Sequence, residues 1–478
     1  MTARPRIDLT PSEIDALLEQ RFAAVSASRV PRPPRSAPLP PGPRFPAVVQ
    51  SLLLLGFRHR FVPWLHRTYG DVITLRLLPR GRRVVLFARP EHIKEIFAGE
   101  PEVFQAGRGN AVLGPLLGHR SVLLQDSSDH RRSRRLLMPA FHGQALRDYR
   151  AMVAELASAE AGRWQPETPF AMHERMSALT LEIILQVVFG VTDPARLDKL
   201  RPCVTRAVDV SPSRMIGGFL PGVRRLGPWR GMKDNQRQLD LLIHEEITER
   251  RRAPDLAGRT DVLSRLLQVA ADAEQPDGED PMDDAELRDQ LVTLLMAGHE
   301  TTASAVSWAL HELGRDPQLR ERCERAAGTA VTTEGDDLLE AVFQEALRLH
   351  TVIAMVNRTL MRPSRVGGRD LPAGTTVAAS ILLVHESERW HEAPGSFRAD
   401  RYLGNSPAPQ HVGAVRGWSP SVPGGGVRHD GGGGDPARGA ARLFRRDGRH
   451  RAPPGPQRHE RAGQGRHDAD TDTTTGLR

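Results

Sequence analysis

An α-rich α+β fold is what this sequence predicts, on three observations. From Pro90 onward, apolar residues recur at helical spacing in one long segment after another. Two β-rich runs precede that region, and short strands return after His350. The chain has 478 residues, 39% hydrophobic and 26% charged, enough to bury one large core and too well mixed for wholesale disorder.

The elements follow in chain order. Residues Pro11–Ser28 read as an amphipathic helix, with Ile14, Leu17, Leu18, Phe22 and Val25 on one stripe, so residues 1–38 form an N-terminal helical extension. A proline-rich connector follows and ends in Leu39–Pro46, stiff because proline fixes its backbone angle. The runs Val72–Leu78 and Arg83–Ala88, separated by Pro79, Arg80 and Gly81, predict a hairpin. Helices are expected over Pro90–Ala98, Ser128–Met138, Gly143–Arg163, Glu174–Val188, Gln236–Arg252, Asp284–Arg315 and Gly335–His350. The turn-forming stretch Leu371–Val377 signals a second hairpin. Residues 39–410 thus form one large body. Residues 411–478 are dominated by Gly, Arg, Pro, His and Asp without any helical or strand period, and that composition cannot build a packed helix.

Bulk properties exclude several classes of function. The tail carries 12 Arg against 6 Asp and 1 Glu, so much of the net charge of +8 sits there and the body is close to balanced. The tail has no interleaved aromatics of the kind that stack on bases, which argues against a nucleic-acid partner. Two cysteines, Cys203 and Cys323, make neither a disulfide framework nor a metal-ligand spacing. The apolar patch Leu52–Leu55 is too short to span a bilayer, so a cytoplasmic protein without a transmembrane segment is expected.

Three constellations carry chemistry. At the centre of the long Asp284 helix stands Ala297-Gly298-His299-Glu300-Thr301-Thr302. Glycine and β-branched threonine are locally unfavourable mid-helix, glycine by about 1 kcal/mol relative to alanine. A lone glycine there would read as a kink or a packing notch. The adjacent carboxyl and hydroxyl add the makings of a proton relay. Glu345 and Arg348 lie side by side on their helix at i and i+3. Alone such a pair reads as solvated, like Glu249/Arg252 and Glu312/Arg315, but apolar Leu339, Val342, Phe343 and Leu347 surround this one. The run His130–Arg135 opens another helix; His130 and Arg134 at i and i+4 share a face that suits carboxylates or phosphate, or else a solvated basic surface.

In this order and spacing, from about Leu39 to Leu403, the motifs resemble those of a bacterial cytochrome P450, a haem-thiolate monooxygenase. The resemblance implies a single large, mostly helical domain with small β-sheets, binding haem b, the iron protoporphyrin IX. It makes Gly298 room for dioxygen, Thr301 the hydrogen-bond partner of that dioxygen, and Glu300 a proton source. It joins Glu345 and Arg348 to Arg401, in the segment Phe397–Tyr402, as a buried charge network. His130, Arg134 and Arg358 become contacts of the haem propionates, and Arg428 a further haem contact. Electrons would come from NAD(P)H through a ferredoxin and its reductase, since no G-x-G-x-x-G stands in a βαβ context here. The substrate would be a small apolar organic molecule, with Ala111–Leu117 and Met215–Leu220 as candidate pocket walls.

One departure stands out. Where the family carries a loop close to F-G-x-G-x-R-x-C-x-G, whose thiolate binds the iron, this chain reads Pro423–Gly432 with Asp430 at the ligand position. Carboxylate is a hard ligand and a poor electronic substitute for thiolate. The apolar helix expected after the loop is missing too. The expectation is therefore a haem monooxygenase by family that is inactive as written, or else a non-enzymatic remnant of that family.

Overall fold

The computed structural model describes residues 38–78, 81–141, 144–191, 193–208, 227–272, 280–328 and 333–404, with two isolated positions nearer the N-terminus. The helix expected over Pro11–Ser28 (Ala16 apart), Met215–Leu220 and the whole tail, with Arg428 and Asp430, lie outside them.

Helices α1 (Ala47–Gly56) and α2 (Arg58–Tyr69) lead into β1 (Val72–Leu77) and β2 (Arg82–Phe87), which pair antiparallel with Val72 opposite Phe87. α3 (Pro90–Ala98) begins on a proline, tolerated where the first-turn N–H has no helical partner. After β3 (Phe104–Gln105) come α4 (Ser127–Leu137), α5 (Gln144–Gly162), α6 (Met172–Phe189), α7 (Pro194–Val208), α8 (Gly227–Arg252) and α9 (Val262–Asp272). The axis is α10 (Asp284–Arg315), whose 32 residues extend roughly 48 Å. A capping box starts it: Asp283 accepts from the Glu286 amide at 2.8 Å, and the Glu286 carboxylate accepts from the Asp283 amide. α11 (Pro317–Gly328) and α12 (Thr333–Leu349) follow, then β4 (Met355–Leu360), β5 (Ser364–Val366), β6 (Arg369–Leu371), β7 (Thr376–Ser380) and the single turn α13 (Ile381–His385).

α10 threads three apolar clusters, one of them formed by its Ala303, Val306 and Leu310 with Ala157 of α5 and Met176 of α6. Its first half buries Leu287, Leu291, Leu294 and Leu295 among α6, α7, α8 and α9, and its second half buries Ala309 and Leu313 against α11 and α12. The strands lie to one side in a five-stranded sheet of order β1-β2-β7-β4-β3, with β5 and β6 as a separate pair. The architecture is α+β and mostly α, as the periodicities predict.

Two expectations need correction. The turn at Leu371–Val377 does not close a hairpin: β6 pairs back with β5, while β7 runs parallel to β2 and antiparallel to β4. All five residues of β7 are buried, so it needs a strand on each side, whereas β6 exposes two of its three. The helices α1, α2, α7, α9 and α11 were not among those the periodicity marks. α1 is apolar almost throughout and shows no stripe, and Pro63 and Pro202 sit inside α2 and α7.

Candidate functional site

The central motif of α10 faces one stripe of α6. Residues His173, Ser177, Thr180 and Ile184 recur at helical spacing, and each meets a residue of Gly298–Glu300. A Cβ at Gly298 would stand 2.8 Å from Cδ1 of Ile184, so the side chain of α6 that packs over the glycine is the movable tip of Ile184. His299 is buried, with Nδ1 at 3.0 Å from Oγ1 of Thr180 and Nε2 at 3.3 Å from Oγ of Ser177. Burial lowers the pKa of its imidazole from the ordinary histidine value, with the Glu300 carboxylate a partial offset. Glu300 is 44% exposed and lies 3.3 Å from Nε2 of His173. Thr301 donates its hydroxyl to the Ala297 carbonyl at 2.6 Å, which leaves its lone pairs free to accept. Glu300 and Thr301 are thus neighbours on the helix, one toward solvent and one folded onto the backbone. The α6 stripe went unread, though the 173/177/180/184 spacing was there to find it.

Glu345, Arg348 and Arg401 come together. Glu345 has no solvent exposure and accepts from Nε and Nη2 of Arg348 at 2.7 and 2.8 Å, from Nε of Arg401 at 3.1 Å and from the Arg398 amide at 2.9 Å. Further donors of the two guanidiniums reach carbonyls: Arg348 those of His385, Pro394 and Ser396, and Arg401 that of Ala393. Two cations around one buried carboxylate persist because these carbonyls take up donors that the carboxylate does not. The same charge, together with burial, pushes the Tyr402 hydroxyl up to about 12.

The basic run on α4 divides. Arg132 turns away to α10, donating to Oε1 of Glu286 at 2.9 Å, while His130 and Arg134 are half-buried further along. Arg358, on β4, is only 7% exposed; its guanidinium donates to the Asn357 carbonyl at 2.9 Å and forms no ion pair among the described residues. It lies over the Phe97 ring, 5.6 Å from the centroid, and burial lowers its pKa, with the Asp126 carboxylate a partial offset. Asp126 precedes α4 and accepts from the Gly107 and Arg108 amides at 2.7 and 3.0 Å, which ties the start of α4 to the turn packed on β4. A buried guanidinium without a carboxylate partner is the donor set an external anion would complete.

Two arginines that the sequence reading missed fasten this region. Arg82 is nearly enclosed and donates to Oγ1 of Thr376 at 2.7 Å, Oγ1 of Thr359 at 2.6 Å and the carbonyls of Arg108 and Gly109. Arg288 is fully buried between Asp240 and Asp289 and donates to the Leu117 carbonyl at 3.0 Å. Beside it, the amides of Arg120 and Val122 donate to Asp289 and Gln290 at 3.1 and 3.0 Å, and Thr293 donates to Oγ of Ser121 at 2.6 Å. The candidate wall after Ala111 is thereby bolted along α10. Nothing in the local sequence distinguishes these arginines from the many solvated ones.

Both cysteines are buried, and Nη2 of Arg206 lies 3.7 Å from Sγ of Cys203. Cys203 is fully buried in the α7 core, and Cys323, 1% exposed on α11, has its thiol pushed up to about 11 by burial.

A match over most of the chain is decisive, because the family profile of the cytochromes P450 fits residues 40–414. The chain belongs to the cytochrome P450 family. Putative cytochrome P450 135A1 of Mycobacterium tuberculosis (strain H37Rv) is 47% identical over 391 residues, covering 82% of this chain and 83% of that one. Putative cytochrome P450 135B1 of Mycobacterium bovis is 40% identical over 373 residues, with 78% of each chain covered. In three dimensions a retinoic acid-bound cyanobacterial CYP120A1 superposes with a TM-score of 0.66 at 24% identity, over 86% of this chain and 91% of that one, which speaks for the fold alone. By family this is a haem-dependent monooxygenase, an oxidoreductase that uses haem b, with electrons from external redox partners and an organic substrate. No single helix among the described residues is long and apolar enough to cross a membrane. Asp430 lies beyond the last residue of the family match.

Proposed function

We propose that this chain is a cytochrome P450 monooxygenase whose body, residues 39–410, keeps the parts for holding haem and handling protons, and whose segment 411–478 withholds the thiolate. The observation that carries the first half is Arg358, a buried guanidinium with no ion-pair partner among the described residues. Haem brings two propionates, and Arg358, His130 and Arg134 are the residues we assign to them; Arg428 is a further contact by family pattern. Glu345, Arg348 and Arg401 are structural, because a buried carboxylate with four donors fixes the chain after β7 against α12. Haem held by a thiolate supplies oxygen activation. Around it Glu300, half exposed and beside His173, takes protons from solvent, and Thr301 passes them inward from its hydroxyl. Gly298 lies under the Ile184 tip of α6 at that point.

The second half rests on Asp430, the residue at the ligand position, and on the composition of the tail. The reading we favour is translation out of frame from about Gln410, since a GC-rich gene read in the wrong frame yields such Gly/Arg/Pro/Asp-rich text. The coding DNA around Pro409–Gly434 then contains a cysteine loop and an apolar helix in another frame. A non-enzymatic remnant of the family is the second reading, and an empty result in both other frames favours it. Redox partners are assigned as a ferredoxin and its NAD(P)H-dependent reductase, the substrate as a small apolar organic molecule, and the location as the cytoplasm.

The test is the carbon monoxide difference spectrum of the reduced, purified chain. No thiolate-type band is expected, and no monooxygenase turnover with any redox partner. Asp430→Cys alone restores little because the following scaffold is absent, whereas restoring the frame brings back both. A full thiolate band from the unmodified chain would put Cys203 or Cys323 on the iron and overturn the proposal.

A further inference from the structure

Helix α1 turns polar as well as apolar residues inward, with Leu53 and Leu54 packed on the core. Its polar residues point inward: Gln50 is fully buried and Ser51 is 5% exposed. The reason lies in β1, an edge strand with outward backbone donors. Gln50 accepts from the Arg76 amide at 2.9 Å, Ser51 from the Leu78 amide at 2.9 Å, and Gln50 also donates to the Phe45 carbonyl at 2.7 Å. Covering that edge turns the opposite face of α1 outward, and that face is Val48, Val49, Leu52 and Leu55, each about two-fifths exposed.

The patch continues beyond the helix. Phe45 stacks on Trp64 of α2 at 6.2 Å, and both are exposed, as is Phe57 between the helices. Among the described residues, every exposed large apolar side chain falls between Phe45 and Trp64. A contiguous apolar face of this kind marks an interaction surface. Its charge is equally one-sided. Between Glu19 and Asp71 the sequence has eight arginines and no acidic residue, and Arg44, Arg60 and Arg67 of that stretch are exposed around the patch.

We propose that the α1–α2 face docks on the surface of an anionic phospholipid bilayer, α1 lying in the interface plane. An apolar helix with an arginine fringe and aromatic flanks matches a surface that is apolar below and negative at the headgroups. At ten residues α1 is about 15 Å long and cannot span. The inference is independent of the haem assignment, because none of these residues belongs to that site.

The experiment is co-sedimentation of the full chain with vesicles of phosphatidylcholine alone or with roughly a third phosphatidylglycerol. Binding is expected to the phosphatidylglycerol vesicles, at least about tenfold weaker to phosphatidylcholine, and lost at about 0.5 M salt, where screening is short-ranged. Val49→Asp with Leu52→Asp should abolish binding without changing the thermal melt, since both side chains are already partly in water. Arg58→Glu with Arg60→Glu should remove the preference for phosphatidylglycerol. Failure to bind these vesicles, or unchanged binding by the Val49/Leu52 variant, overturns the proposal. So does a parent that ignores lipid while the same variant splits a dimer or speeds amide exchange in residues 8–20, whose Asp8, Glu13, Asp15 and Glu19 make them the competing cover.

Discussion

Glu345→Ala isolates the strongest electrostatic commitment in the body. Removing the carboxylate deletes four accepted hydrogen bonds and leaves Arg348, with a side chain 1% exposed, and Arg401, 14% exposed, without their only counter-charge among the described residues. Breaking a buried pair from one side costs about 3–5 kcal/mol, because the surviving charge stays desolvated. A body of this size has an unfolding entropy of roughly 0.8 kcal/mol per kelvin, so ~4 kcal/mol lowers Tm by about 5 °C. Glu321→Ala is the control: its partner Arg325 is 3.5 Å away and both are about two-thirds exposed. That change is worth at most about 1 kcal/mol. The assay is urea unfolding followed by far-UV circular dichroism, with the slopes compared to exclude a change in the unfolded state. Equal midpoints for Glu345→Ala and the parent would refute the view of Glu345 as the centre of a buried network.

Other perturbations follow from the same structure. Arg358→Met should leave the haem-free protein as stable as the parent or more stable by roughly 1–2 kcal/mol, while haem titration shows weaker uptake; marked destabilisation would mean the guanidinium already has an anion. Gly298→Ala should change stability by no more than about 1 kcal/mol, because the atom its Cβ would crowd is the movable tip of Ile184 and the adjustment is offset by the ~1 kcal/mol of helix propensity gained; a loss above about 2 kcal/mol in thermal unfolding would show that Ile184 cannot turn away. Stability should also fall as pH drops through the histidine range. Burial lowers the folded pKa of His299, His311 and His59 below 6.5, so the unfolded chain binds more protons there and is favoured. Carboxyls that burial pushes up, Asp126, Glu246 and Glu386, act with the opposite sign at lower pH. His299→Gln should therefore flatten the slope of Tm between about pH 7 and 5.5, and an unchanged slope would show that folding does not shift the His299 pKa.

The sequence by itself determined the helices whose stripes are strictly periodic. α3 and α10 begin and end where the spacing places them, because amphipathic period and caps are local properties. It marked the central α10 motif by its residue types, and only through the family resemblance did it join Glu345 and Arg348 to Arg401 in one network. Tertiary structure alone decided where each side chain of that motif goes: Gly298 against Ile184, His299 between two hydroxyls, Glu300 toward His173. It alone paired β7 with β2 and β4, partners hundreds and tens of residues away, which a turn signal cannot specify. It singled out Arg82, Arg288 and Arg358 from the chain's many arginines, since local sequence does not encode which cation will be desolvated. And it oriented α1. The residues of a largely apolar helix carry no preferred face, and only the unpaired edge of β1 demanded that Gln50 and Ser51 point in, leaving Leu52 and Leu55 outward while Leu53 and Leu54 pack on the core.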